Sequence, residues 1–180
     1  MIKNFKLTIF ALLASGLLSA CVNHGTSEMS FDRYSLVEDL KASSFTADYK
    51  VNLDLTKALD EGGVVVKTSD VTLRSANNHR WSSNLKDQLT AIVCEKLNDY
   101  QVRKDLDIKI FVSKFYGTTD GNVTIEMNVG TTLKGKPYFD KIYSFNEVQA
   151  EDGYASLVET LKKGFFNLSA NLAQDLSLKD

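Results

Sequence analysis

The sequence predicts a single α+β domain: an antiparallel sheet with two amphipathic helices packed on one face. Three observations carry this. Val123, Ile125, Met127, Val129, Thr131 and Leu133 alternate with Thr124, Glu126, Asn128, Gly130 and Thr132, the period of a half-buried strand. Leu157, Leu161, Phe165, Leu168, Leu172 and Leu176 recur at spacings of three and four, an apolar helical stripe of the kind that faces a core. The helix predicted after Trp81 stands between two sets of strands, and the segment that carries all of these elements, 31–180, is the size of one domain.

Taken in order, residues 33–37 suit a short first strand. Residues 49–55 alternate Tyr49, Val51, Leu53 and Leu55 against Lys50, Asn52 and Asp54, a second half-buried strand. Gly62-Gly63 breaks the chain, and Val64-Val65-Val66 opens a new extended run. Thr68-Ser69-Asp70 reads as a turn or bulge, residues 71–74 as continuing strand, and Asn77-Asn78 as another turn. Ser82 or Ser83 can cap a helix that reaches about Asn98. Leu85, Leu89, Ile92, Val93 and Leu97 form its apolar side, with Lys86, Asp87, Gln88, Glu95 and Lys96 opposite.

Three strands follow. In the first, Ile108, Ile110 and Val112 point one way and Phe111 and Phe115 the other. Asp120-Gly121-Asn122 makes a hairpin turn into the alternating 123–133 segment. Gly135-Lys136-Pro137 makes the next turn, and 139–148 the third strand, with Phe139, Tyr143 and Phe145 on one side. Asp152-Gly153 closes the sheet region, and the final helix runs over about 154–176.

The first twenty residues stand apart. Lys3 and Lys6 are followed by an uncharged apolar run of 12 residues, 7–18, and then by Ser19 and Ala20. This is the build of a secretory signal, and the run is too short for a bilayer that needs about 20 residues. Leu18-Ser19-Ala20-Cys21 resembles the lipobox of bacterial lipoproteins. The resemblance implies a signal peptide over 1–20, cleavage before Cys21, and acyl chains on its thiol and its new amine. Three chains clear the two-chain threshold for a stable anchor. Residues 21–30, polar and including His24, read as a short flexible tether. Val22 follows the acylated cysteine where an Asp would retain a lipoprotein in the inner membrane. By that sorting rule the expected location is the inner leaflet of the outer membrane, facing the periplasm of a Gram-negative cell.

Removing residues 1–20 removes two lysines and no acid, so the net charge moves from −2 to −4. A mildly acidic domain argues against nucleic acid as a partner. With Cys21 acylated, Cys94 has no partner within the chain, and its neighbours Ala91, Ile92, Val93 and Leu97 mark it as a small buried residue. His79 sits beside the asparagine pair, and no cluster of His, Cys, Asp and Glu has the spacing of a metal site. Asp105 with Asp107, Asp120 and Asp152 read as turn residues. There is no phosphate loop, nucleophile elbow or dinucleotide fingerprint. An enzyme is not expected, nor any cofactor beyond the acyl chains on Cys21.

Three blocks in fixed order carry a further resemblance: Gly62-Gly63-Val64-Val65-Val66-Lys67-Thr68-Ser69-Asp70-Val71; then Ala76-Asn77-Asn78-His79-Arg80-Trp81-Ser82-Ser83 with Leu85 and Gln88-Leu89; then Val148-Gln149-Ala150-Glu151-Asp152-Gly153-Tyr154 before the closing helix. Behind a lipobox, this resembles the ABC-type transport auxiliary lipoproteins. The resemblance implies a partner rather than a reaction. It implies an MCE-domain protein that spans the periplasm as a tube, in lipid transport between membranes that supports envelope integrity. A ring of copies of the chain is compatible with such a symmetric tube.

Two residues are candidates for docking. Trp81, the only tryptophan, precedes a helix and is either an exposed anchor or a core residue that sets the helix entry. Tyr154 opens the last helix and carries the same two readings. The polar face of the meander, with Thr124, Glu126, Asn128 and Thr132, either meets another subunit or faces water. The alternatives to a transport subunit are a periplasmic lipid-binding lipoprotein and an envelope-assembly lipoprotein unrelated to transport.

Overall fold

The computed structural model describes residues 31–38 and 48–178; the expected signal segment over 1–20, Cys21 and the expected tether over 21–30 lie outside them. Seven strands form one mixed sheet. They are β1 (Asp32–Tyr34), β2 (Lys50–Leu55), β3 (Gly63–Ser69), β4 (Thr72–Trp81), β5 (Leu106–Thr118), β6 (Asn122–Leu133) and β7 (Lys136–Val148). Two helices, α1 (Leu85–Asp99) and α2 (Tyr154–Ser177), complete the α+β domain. The strand order is β1-β4-β3-β5-β6-β7, and β2 pairs with β5 beside β3.

The meander β5-β6-β7 is antiparallel, as the alternation predicts. Lys134 and Gly135 both take positive φ, as a two-residue type I′ loop between β6 and β7 requires. The remaining pairings include three parallel ones: β1 with β4, β2 with β5, and β3 with β5. Parallel neighbours are joined through long crossovers, so local residue patterns do not announce them.

The turn before β7 sits one residue earlier than expected, at Lys134-Gly135 with Lys136 and Pro137 already in the strand, and the reading changes in five further places. The Asn77-Asn78 pair is not a turn: β4 runs through it to Trp81, with a shift of register against β3 at that point. The segment lies toward the sheet margin, where β1 pairs only with His79, Arg80 and Trp81. Exposed asparagines are tolerated in such a position. Phe115 points into the core rather than beside Phe111, because a bulge between Val112 and Lys114 inserts an extra residue and reverses the alternation. The cap of α1 is Asn84, whose side chain accepts from the Asp87 N–H, not Ser82 or Ser83. Gln88 belongs to the buried side of α1, where its Oε1 accepts from the Leu36 N–H at 2.7 Å and its Nε2 donates to the Ser83 carbonyl at 3.1 Å. Lastly, the first strand is shorter than expected, ending at Tyr34.

Both helices cover one face of the sheet. The stripe Leu157, Leu161, Phe165, Leu168, Leu172 and Leu176 is buried, against Ile108, Ile110 and Val112 of β5 and Val123, Ile125, Met127 and Val129 of β6. Phe115 meets Trp81 at 6.0 Å between ring centroids and Phe165 edge-on at the same separation. The close approach of α2 depends on Gly164: a Cβ there would stand 2.5 Å from Cδ1 of Phe145 and 2.8 Å from Cδ1 of Ile125. No helix among the described residues is long and apolar enough to cross a membrane.

Candidate docking surfaces

The two sequence candidates fall in different places. Trp81, the last residue of β4, is 4% exposed and packs on Phe115. It offers no surface to a partner and does what its packing alternative requires, closing the core where the chain turns toward α1. Its indole Nε1 has no hydrogen-bond partner among the described residues.

Tyr154, the first residue of α2, is half-buried. Its ring stacks on His79 at 3.9 Å and an interplanar angle of 16°. His79 Nδ1 lies 3.2 Å from the Tyr34 hydroxyl and 3.2 Å from Oδ2 of Asp32. Thus one cluster joins β1, β4 and the start of α2. Burial, followed by the nearby Asp32 and Tyr154, pushes the Tyr34 phenol above its usual range. The residue types around His79 predict a turn. Placing 77–81 in a strand is what brings His79 to Tyr154, and only the long-range β1–β4 pairing supplies Asp32 and Tyr34.

The helix-free face of the meander is the other candidate. Its rows follow from the register: Lys50–Asp107–Thr132, Asn52–Lys109–Gly130–Asp140, Asp54–Phe111–Asn128–Ile142, and Lys114–Glu126–Ser144. Phe111 and Ile142 flank Asn128 and are 43% and 63% exposed. Gly130 leaves a shallow groove between Lys109 and Asp140, continued by Pro137 and Tyr138. Around it the charges pair locally: Lys50 with Asp107 at 3.6 Å, Lys86 with Asp54 at 2.9 Å, and Lys114 with Glu126 at 2.9 Å. Lys114 and the Ser113 hydroxyl hold the Glu126 carboxyl below its usual range. The outer edge of β7 is unpaired among the described residues. Thr124, Glu126, Asn128 and Thr132 all lie on this face, as the alternation placed them. Phe111 and Ile142 are what that reading overlooked, although Phe111 stood out as an aromatic against the buried set of β5.

The acidic candidates remain apart. Asp105 pairs with Arg103 at 2.6 Å, Asp107 with Lys50, and Asp120 accepts from the Thr118 hydroxyl and the Asn122 amide. Burial pushes the Cys94 thiol up to about 11, so it is neutral and enclosed. No group of three or more potential metal ligands occurs among the described residues. What the surface offers is contact: an apolar pair in a polar sheet face and a stacked aromatic cluster.

A model of the ABC-type transport auxiliary lipoprotein component matches residues 50–173 of the chain. The chain is 24% identical over 184 residues to the intermembrane transport lipoprotein PqiC of Escherichia coli (strain K12), covering 97% of each. The same figures hold for PqiC of Shigella flexneri. Among solved structures, one described only as an uncharacterized protein aligns at 25% identity with a TM-score of 0.69, over 81% of this chain and 98% of that one. A Xanthomonas campestris protein shares the fold at 13% identity, with a TM-score of 0.64 over 73% of this chain and 85% of that one.

Proposed function

The chain belongs to the ABC-type transport auxiliary lipoprotein family, and from that premise we propose that it is the lipid-anchored auxiliary subunit of an intermembrane lipid transport system. The observation that carries this reading is the likeness to PqiC, which runs the length of both chains rather than over one shared motif. Signal cleavage before Cys21, acylation of Cys21 and anchoring in the inner leaflet of the outer membrane complete the proposal, on the lipobox and on Val22.

The partner in this proposal is an MCE-domain protein that spans the periplasm. The helix-free sheet face is the surface assigned to it. Phe111 and Ile142 supply apolar contact there, and the paired charges around them supply a polar rim of the kind found at protein interfaces. A protein with this role needs a rigid platform near a membrane, not a reaction, and the packed helical layer behind the sheet provides the rigidity.

The test is capture of the tagged, full-length protein from membranes in mild detergent, beside a Cys21→Ser variant. Recovery of an MCE-domain protein with the native chain, lost in the variant, supports anchored docking. Recovery of none, from protein that is acylated and in the outer membrane, overturns it.

A further inference from the structure

One end of the sheet gathers apolar side chains that the core does not use. β1 runs parallel to β4, with Asp32 opposite His79 and Tyr34 opposite Trp81. The chain that enters β1 therefore arrives from the end at which β4 begins, the end of the hairpin joining Ser69 to Thr72. Val71, at the tip of that hairpin, is 95% exposed. The outermost row of the sheet lies just behind it. Leu73 pairs with Lys67, Lys67 with Thr118, Thr118 bonds to Asn122, and Asn122 pairs with Val148. Five strands side by side make this row about 19 Å wide. Both ends of the row are apolar and exposed, Leu73 at 42% and Val148 at 63%.

Chain length connects this end to the anchor. Cys21 precedes Asp32 by eleven residues, a contour of at most about 40 Å. Val71 precedes His79, the partner of Asp32, by eight residues, or about 27 Å of strand. An acylated Cys21 thus reaches past the Val71 hairpin with roughly a dozen ångströms in hand. The opposite end of the sheet is reached only by a chain that doubles back along it. The chemistry of the near end selects the kind of surface. Asp70, Asp120, Glu151 and Asp152 lie in the turns along this end, against two cations: Lys67, paired with Asp70 at 3.7 Å, and the exposed Arg74 beside Leu73. An anionic lipid layer is repelled by such an end; a zwitterionic one is not.

We infer that the end of the sheet bearing Val71, Leu73 and Val148 rests on the zwitterionic phospholipid surface in which the Cys21 anchor is embedded. This rests on the acylation of Cys21. The contact is weak by itself and acts because the anchor makes it intramolecular. It holds the sheet upright on the membrane, with the β6–β7 turn facing away.

The test uses the acylated full chain in vesicles of phosphatidylethanolamine and phosphatidylcholine. A single cysteine is introduced by Val71→Cys, Val148→Cys or Lys136→Cys and labelled with an environment-sensitive fluorophore. Cys94 is buried and does not compete for the label. The expected result is blue-shifted emission at 71 and 148 that acyl-chain-brominated lipid quenches, and neither effect at 136. A blue shift at 71 without lipid quenching means that another protein surface covers the tip, and overturns the inference. Emission at 71 matching that at 136 also overturns it. Flotation of the protein with the vesicles is scored separately. Protein that does not float lacks the anchor, and the inference then falls with the acylation reading rather than on its own.

Discussion

The imidazole of His79 lies flat against the ring of Tyr154, 3.9 Å between centroids, and so fastens the middle strand of one sheet margin to the first turn of α2. Asp32 and Tyr34 reach the same imidazole from β1. β1 is thereby tied to the helical layer. Stacked aromatic pairs contribute about 0.5–1.5 kcal/mol beyond the area they bury. In a double-mutant cycle, His79→Ala and Tyr154→Ala should each destabilise the fold, with a coupling in that range. Additive single effects, measured by urea unfolding, would show that the stack contributes nothing of its own.

Trp81 should behave as a core residue. Trp81→Ala is expected to cost about 3–5 kcal/mol, the loss for truncating a large buried aromatic. Trp81→Phe should cost far less, because the indole N–H has no partner to lose among the described residues. Equal loss of stability in both variants would contradict this placement.

Asp175 carries the clearest acid-limb prediction. Its Oδ2 accepts from Lys141 Nζ at 2.7 Å and from the Tyr143 hydroxyl at 2.6 Å. Lys141 first, then Tyr143, hold the Asp175 carboxyl below the usual carboxylate range. A carboxyl lowered in the folded state adds stability that is present above its unfolded value near pH 4 and is lost as the pH falls through the folded value. Asp175→Asn should cost about 1–2 kcal/mol at neutral pH and flatten the stability profile below about pH 4. Tyr143 has the opposite sense: burial, reinforced by Asp175, pushes its phenol far up. Its contribution is present below about pH 10 and lost as the pH rises beyond that. Tyr143→Phe should lessen the alkaline slope, to which the raised Tyr34 phenol and Cys94 thiol also contribute. Unfolding midpoints across pH check both.

Gly164→Ala runs against helix propensity. In an exposed helix alanine would gain up to about 1 kcal/mol over glycine. Here the added methyl meets Phe145 and Ile125 at 2.5–2.8 Å, so those side chains or α2 itself must shift. A net loss of about 1–3 kcal/mol is expected. A stabilised variant would mean that the α2–sheet interface yields easily.

What was legible in the sequence depended on how local the cause was. The stripe of α2 and the alternation of β6 each bury one continuous face, so residue spacing alone places them. The bulge beside Ser113 is a single inserted residue, invisible to a pattern of period two, and it moved Phe115 from the outer face to the core. Asn77 and Asn78 favour turns in isolation; they sit in extended β4 where its register against β3 shifts, between the Val65–Ser75 and Gly63–Arg80 pairs, a bulge that the residue types alone do not distinguish from a turn. The docking candidates divided on the same ground. Burial of Trp81 depends on Phe115, a residue that the bulge redirected, and the setting of Tyr154 depends on a parallel pairing between residues more than forty positions apart. Family membership, in contrast, was legible from three ordered blocks, because it rests on residue identity rather than on geometry.

The most direct test of docking through the helix-free sheet face is photo-crosslinking in living cells. A photoreactive benzoyl-phenylalanine is placed at 111 or 142, with a third at 162 on α2, behind the sheet, as the comparison site. Crosslinks from 111 and 142 to an MCE-domain chain, absent from 162, are the expected result. Crosslinks to that chain from 162 alone, or from none of the three in protein that is acylated and folded, would contradict it.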